Sequence, residues 1–438
     1  MNQIKKILSM RKVGINSGVP SFCCANKIVV EAILEQAKKF DDFVVIEATS
    51  NQVNQNGGYT KMQPIDFVNL VEDIAKKTDF PTKRIILGGD HLGPLPWCDL
   101  PAEEAMKNAE ELVTLFVKAG YTKIHLDTSM RLGDDDVNKP LSKDLIAARG
   151  ARLYKACEEA FKERLREHPD SVHPVYVIGS EVPVPGGATK EEKMVVTSPS
   201  EFEDTIYSYR KVFMENGLDD AWDNIIAVVI QPGVEFSNSS LRRYNREDAK
   251  KLCRSLKRYP DLVFEGHSTD YQSPNSLKEM VQDGIAILKV GPALTFALRE
   301  ALFQLSNIEK ELIPDNQQAH FIELLDEEMV KNPKYWEKYY FGNEQEKKLN
   351  RKYGFSDRSR YYMTLPRIEA SINKLLNNLE NVTIPSGMLK QYMPIQYARW
   401  LQGIIDYSPR SFLKDSVVQI VEDYNYAVMK NYLMEKDL

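Results

Sequence analysis

The 438-residue chain predicts a (β/α)8 barrel followed by a helical extension. Three observations carry this reading. Eight short β-branched runs recur before residue 300, amphipathic helical stretches separate them, and polar residues gather toward the ends of seven of them. Nearly continuous apolar strands that alternate with helices read as a parallel sheet buried on both faces. Eight such units suggest closure into a barrel. A doubly wound open sheet is the alternative.

In order, the runs are GVPSFCCA (18–25), FVVIEATS (43–50), RIILGGDH (84–91), KIHLDTS (123–129), PVYVIGSEV (174–182), IIAVVIQPG (225–233), LVFEGHSTD (262–270) and AILKVGPA (286–293). Between the second and third, residues 64–78 place Phe67, Leu70, Val71 and Ile74 on one helical face. Residues 102–120 open with acids and close on Gly120, as a helix does. TFALREALFQLSNIEKELI reads as the eighth barrel helix. Beyond it no strong strand signal remains, and aromatics mix with charges in KYWEKYY, DRSRYYM, QYARWLQ and DYNYAVMK. We therefore expect a barrel over 1–313 and a helical extension over 314–438 packed on it. Many of the 21 tyrosines fall there, which fits an amphipathic packing or interface surface.

Composition narrows the function classes. The chain is 43% hydrophobic and 27% charged, the usual balance of a soluble globular protein. A net charge of -6 without a basic block argues against nucleic acid. No apolar run approaches the roughly 18 residues of a membrane span. The start, MNQIKKILSMRKVGINSG, lacks a long apolar core and a small-residue cleavage site, so it reads as a cytoplasmic N-terminal helix. Cys23, Cys24, Cys98, Cys157 and Cys253 form no C-x-x-C pair, which fits reduced thiols.

The polar strand ends carry the chemistry. They are Glu47 to Ser50, Asp90-His91, Asp127 to Ser129, Ser180-Glu181, Gln231, Glu265 to Asp270, and Lys289. Any one of these could be a helix cap or a satisfied core group, but in a barrel all seven converge on one mouth. His91 and His267 end the third and seventh runs beside carboxylates, a donor set for a divalent metal. His125 lies before the end of its run and is given no role. Gly266, Ser268 and Gly291 are phosphate candidates, because barrels commonly bind phosphate after strands seven and eight. Asn51 belongs to an amide-rich loop, SNQVNQNGGY (50–59), that either binds sugar hydroxyls or is simply solvated. Gly88 and Gly89 are expected to leave room for substrate.

Together IEATSNQVNQNGGYT, ILGGDHLGP, KIHLDTSM, IGSEVPVPGG, QPGVEF, EGHSTDYQ and ILKVGPALTFALREA resemble the so-called non-catalytic subunit family of class II D-tagatose-1,6-bisphosphate aldolase, whose related members act as ketohexose or ketohexose-phosphate 4-epimerases. The resemblance implies a class II aldolase-like barrel. It implies that Asp90 moves a hydroxyl proton, that His91 and His267 bind zinc, manganese or magnesium, and that Gly266, Ser268, Asp270, Lys289 and Gly291 surround a sugar phosphate, with Glu47 and Asn51 also on the substrate side. Gln231 stands where aldolases carry a third metal-binding histidine, and Glu181 or Asp127 are the acids that would assist. No G-x-x-x-x-G-K-[ST] loop is present, so the kinase label sometimes given to the family is not expected.

Two functions fit. The first is a metal-dependent 4-epimerase of fructose and tagatose or their 6-phosphates, working by retro-aldol cleavage of C3–C4. The alternative is a non-catalytic stabilising subunit of the aldolase. A complete set of acids and ligands leans the expectation toward the epimerase. The expected partners are a ketohexose or its phosphate, a catalytic aldolase chain, or further copies of this chain.

Overall fold

The structure, a computed structural model, describes residues 2–40, 42–180 and 195–428. Eight parallel strands close in sequential order into a barrel. They are β1 (Val19–Cys23), β2 (Val44–Thr49), β3 (Ile85–Leu92), β4 (Lys123–Leu126), β5 (Val175–Ile178), β6 (Ile225–Ile230), β7 (Val263–Gly266) and β8 (Ile285–Val290). Each lies within one of the eight apolar runs, to within one residue. The open-sheet alternative is therefore set aside.

The helices follow from local signals. The first, α1 (Gln3–Ser9), is capped by the Asn2 side chain, which accepts from the N–H of Ile4. Around the barrel run α2 (Lys27–Lys39), α3 (Pro64–Thr78), α4 (Ala102–Ala119), α5 (Lys143–Glu167), α6 (Pro199–Glu215), α7 (Arg246–Ser255), α8 (Pro274–Gln282) and α9 (Pro292–Leu312). Ser198 and Glu201 make a capping box at α6, and Gly120 ends α4 at φ 101°, where a side chain would be strained.

Inside the barrel the lower half is apolar. Val19, Val45, Ile86, Val175, Ile226, Val263 and Ile287 form a cluster separate from the main core. Ile4 and Leu8 of α1 join it, so the N-terminal helix plugs the bottom. Asn2 Nδ2 fastens the plug by donating to the Thr122 and His173 carbonyls, just ahead of β4 and β5.

After α9 the chain is helical: α10 (Phe321–Lys331), α11 (Glu344–Tyr353), α12 (Pro366–Glu380), α13 (Ser386–Tyr392), α14 (Pro394–Leu401) and α15 (Pro409–Ala427). Its buried side chains continue the core outside the barrel. α15 packs on α2, α8 and α9. Many polar contacts tie the extension to the barrel, two of them close to the mouth. Arg299 Nε of α9 donates to Asp357 at 2.8 Å, and Tyr424 Oη of α15 lies 2.9 Å from Thr269 Oγ1.

Candidate functional site

The strand β3 positions the first two groups. Gly88 pairs with Lys123 and Gly89 with Ile124, but Leu92 pairs with Leu126, so one extra residue is accommodated around Asp90-His91. His91 adopts φ 47°, a left-handed conformation rare for a side-chain-bearing residue. The bulge and that turn of backbone bring both groups into the mouth. A cleft opens there, with Asp90, His91, His267, Ser268 and Lys289 in its lining.

Four buried groups, Asp90, His91, His125 and His267, offer ligand atoms that all lie within 4.8 Å of one another. His91 Nδ1 is 2.8 Å from Asp127 Oδ2, and Ser129 donates to the other Asp127 oxygen. His267 Nε2 is 2.9 Å from Glu265 Oε1. Each imidazole is thus oriented by a carboxylate, the usual arrangement behind a metal-binding histidine. The two remaining nitrogens, His91 Nε2 and His267 Nδ1, face each other at 3.1 Å. Two lone pairs cannot meet so closely, so a proton or a cation belongs between them. His125 Nδ1 stands 3.0 Å from Asp90 Oδ1, and its Nε2 is buried without a partner.

Beneath this cluster lies a row of ion pairs. Lys123 Nζ donates to Glu47 Oε1 at 2.7 Å and lies 2.8 Å from Glu265 Oε2. Lys289 Nζ contacts Glu47 and lies 3.0 Å from Asp90 Oδ2, at ion-pair distance without hydrogen-bond alignment. Lys123, Glu47 and Glu265 are fully buried. Counting Asp90 and Asp127, four carboxylates face two ammonium groups, which leaves two negative charges for the histidines or a cation to balance.

The electrostatics follow. Burial alone would lower His91, but Asp90 and then Asp127 outweigh it and push it up to about 9. His267 is lowered, chiefly by burial. Burial pulls Asp127 and Glu265 upward. The hydrogen bond from His91 brings Asp127 down to about 2, and Lys123 with His267 brings Glu265 down to about 2. Lys289 is lowered to about 8 by burial.

The residues singled out in the sequence are placed as follows. Asp90, His91, Asn51, Ser268, Asp270, Lys289, Gly291 and His267 line the cleft. Asp127 holds His91 from behind. Glu47 sits below, locked between two lysines. Gln231 does not line the cleft, and its amide oxygen accepts from the Gly233 N–H at 2.8 Å. Gly266 is packed against Ile285. Asp270 and Gly291 were expected to bind phosphate side by side, but they bind each other. The Asp270 carboxylate takes the N–H groups of Gly291 at 3.0 Å and Ala293 at 2.8 Å, the donors a phosphate would need at the start of α9. Glu181 lies outside the described residues.

Gly88 and Gly89 need a correction. A Cβ on Gly88 would lie 2.4 Å from Glu47 Oε1, and one on Gly89 would lie 2.4 Å from Leu92. These glycines make room for protein side chains, not for substrate. Glu47, Gly88 and Lys123 are register partners across β2, β3 and β4, so the ion pair passes over the missing side chain.

The sequence reading gave no role to Lys123 or His125, named Glu265 only among the polar strand ends, and missed Arg360. A signal for the first three exists. Lys123, His125 and Asp127 are spaced by two, as are Glu265 and His267, which puts each set on one face of its strand. Arg360, in the turn Arg358–Tyr361 of the extension, reaches the cleft with Tyr361, and no local pattern announces that.

Residues 4–429 match the family model described as D-tagatose-1,6-bisphosphate aldolase subunit GatZ/KbaZ-like. The chain belongs to this family. It is 43% identical over 424 residues to the D-tagatose-1,6-bisphosphate aldolase subunit GatZ of Salmonella paratyphi B, covering 97% of this chain and 98% of that one. The GatZ subunit of Salmonella heidelberg gives the same values. A crystal structure described as a probable tagatose 6 phosphate kinase from Sinorhizobium meliloti 1021 superposes with a TM-score of 0.85 at 41% identity, covering 94% of this chain and all of that one.

These relatives overturn the expected 4-epimerase. The family and its Salmonella members are named as a subunit of an aldolase, not as an isomerase. The expectation failed because acids and imidazoles gathered at a barrel mouth look alike in sequence whether they turn over a sugar or only hold the site together. Among the described residues, no helix is long and apolar enough to cross a membrane.

Proposed function

We propose that this chain is a companion subunit of a D-tagatose-1,6-bisphosphate aldolase, a barrel that supports a separate catalytic chain. The observation that carries the reading is the end-to-end likeness to chains named as that enzyme's GatZ subunit. Two features of the mouth support it. Burial would raise Asp90, but His91 and the hydrogen bond with His125 hold it well below the usual carboxylate range. So weak a base takes a hydroxyl proton poorly near neutral pH. In addition, Asp270 fills the phosphate notch at α9. The kinase description of the Sinorhizobium relative is not carried over, since no G-x-x-x-x-G-K-[ST] loop is present.

The test is to purify the chain and a catalytic aldolase chain separately, then together. Cleavage of tagatose 1,6-bisphosphate and the half-life of that activity at 37 °C are followed. The expected result is no cleavage by this chain alone and a longer-lived, faster partner in its presence. Cleavage by this chain alone, or a partner indifferent to it, would overturn the reading.

The mouth also suits a divalent cation, with His91, His125, His267 and Asp90 as the residues that would hold it. The donors fit, because facing imidazole nitrogens and a surplus of two negative charges are what such an ion relieves. When bound, it would supply a fixed positive charge. Titration calorimetry with zinc or manganese should show one equivalent bound, weakened at least about 10-fold in His125→Ala. Equal affinity in His125→Ala would remove His125 from the site.

A further inference from the structure

We propose that Arg360 of the helical extension is the anion-binding post of the mouth, taking the phosphate or carboxylate of a small polyhydroxylated ligand. The starting point is what surrounds its guanidinium. Arg360 lines the cleft together with Tyr361, although both come from the extension. Its Nη1 donates to the carbonyls of Ser356 and Asp357, and its Nη2 donates to Tyr361 Oη at 3.2 Å. Among the described residues, the Nε donor and one Nη2 donor have no partner.

No carboxylate of the described residues lies within ion-pair distance of Arg360. Other buried or half-buried arginines of the same region differ. Arg299 has Asp357, Arg351 has Asp326, and Arg399 has Asp415 and Glu422. A partly buried cation without a counter-ion is unfavourable unless an anion joins it. Arg358 lies behind, donating to the same Tyr361 hydroxyl at 3.3 Å, with its guanidinium over the Tyr339 ring. Its Nε and Nη2 are buried without partners. This wall of the cleft is therefore positive and unsatisfied.

The notch at the start of α9 offers no place for an anion. The backbone donors at the start of α9 already hold the Asp270 carboxylate. A second anion there would meet that charge. The guanidinium fork on the extension matches an oxyanion in shape as well as charge. A ligand so anchored turns its hydroxylated end toward Asn51 and the Asp90–His91 cluster. The extension then sets which small molecules the barrel accepts. This inference stands apart from the subunit reading, since it concerns what the cleft holds and not what it turns over.

Calorimetry on the full chain tests it, with inorganic phosphate, fructose 6-phosphate, gluconate and fructose as probes. Fructose 6-phosphate or gluconate should bind, and fructose more weakly. Arg360→Gln should weaken the anionic sugar by roughly 10- to 100-fold, the worth of a charge-assisted hydrogen bond, and leave fructose within about 3-fold. Arg360→Lys, which keeps the charge but loses the fork, should recover part of the loss. A preference for fructose 6-phosphate identifies a phosphate ligand, and a preference for gluconate identifies a carboxylate. Melting curves check the fold, and if Arg360→Gln does not fold, Arg360→Lys alone must still weaken the anion. Unchanged affinity in the folded variants, or a wild-type chain that binds neither anionic sugar nor phosphate, overturns the proposal.

Discussion

At the lower end of the barrel, Val45, Val263 and Ile287 point inward against Ile4 and Leu8 of the plugging helix. Two residues further along the same strands, the inward row holds Glu47, Glu265 and Lys289, joined by Lys123 of β4. Both levels are buried. The lower level is held by removing apolar area from water, a force without direction. The upper level is held by paired charges, each of which depends on named partners. The lesson lies in how the two tolerate loss. An apolar layer loses what the missing atoms contributed, whereas a buried charge that loses its partner also suffers its own desolvation.

Lys123→Met exposes the difference most strongly. It strands Glu47 and Glu265 in the interior, and breaking a buried pair from one side costs about 3–5 kcal/mol. Ile287→Val, one level below, should cost about 0.5–1.5 kcal/mol. Urea unfolding of the two variants makes the comparison. If Lys123→Met proved the milder change, the upper level would not be a mutually dependent network.

Gly88→Ala sharpens the same contrast at a single atom. The added Cβ would lie 2.4 Å from Glu47 Oε1 and 2.6 Å from its Cγ. Glu47 would have to swing off Lys123, and overpacking of this kind costs about 1–3 kcal/mol. Glycine is needed here for space and not for backbone freedom, since Gly88 is not among the positive-φ glycines. An alanine variant that unfolds at the wild-type urea concentration would mean that Glu47 has another place to go.

The two levels also differed in how well the sequence revealed them. All eight strands were legible, because apolar runs with polar ends have few other uses. His91, His267 and Asp90 were legible because they stand at strand ends. Lys123 and His125 were left without a role because they sit inside apolar runs, where a polar residue reads as an interruption, and Glu265 was grouped with its strand end without a role of its own. Only the spacing of two to Asp127 and His267 assigns them a common face. The Asp270 contact with Gly291 and Ala293 was not legible, since it joins two loops 21 or more residues apart in the chain. Arg360 is more remote still. The choice between enzyme and subunit was beyond the motifs altogether.

The smallest effect concerns Glu235, an acid outside that row of ion pairs. It sits in a short antiparallel ribbon, Glu235–Phe236 with Leu241–Arg242, next to the mouth. Burial pushes its carboxyl up to about 7, against the pull of the Phe236 N–H and the Ser268 hydroxyl. A raised carboxyl pKa means that the folded state favours the protonated form. Its contribution is therefore fully present below pH 4.5, the ordinary glutamate value, and is lost as pH rises through 7. A shift of this size has a ceiling of roughly 3 kcal/mol. Glu235 keeps some contact with water at 9% exposure, so about 1 kcal/mol is the reasonable expectation. Glu235→Gln holds a neutral amide at every pH. Urea unfolding of both proteins from pH 4 to pH 8 should show the variant gaining about 1 kcal/mol on the wild type across that range. A difference that stays flat with pH, or that moves in favour of the wild type as pH rises, would mean that the Phe236 and Ser268 donors have already satisfied the charge. The contrast between the acids of the ion-pair row and an acid outside it would then fail at Glu235.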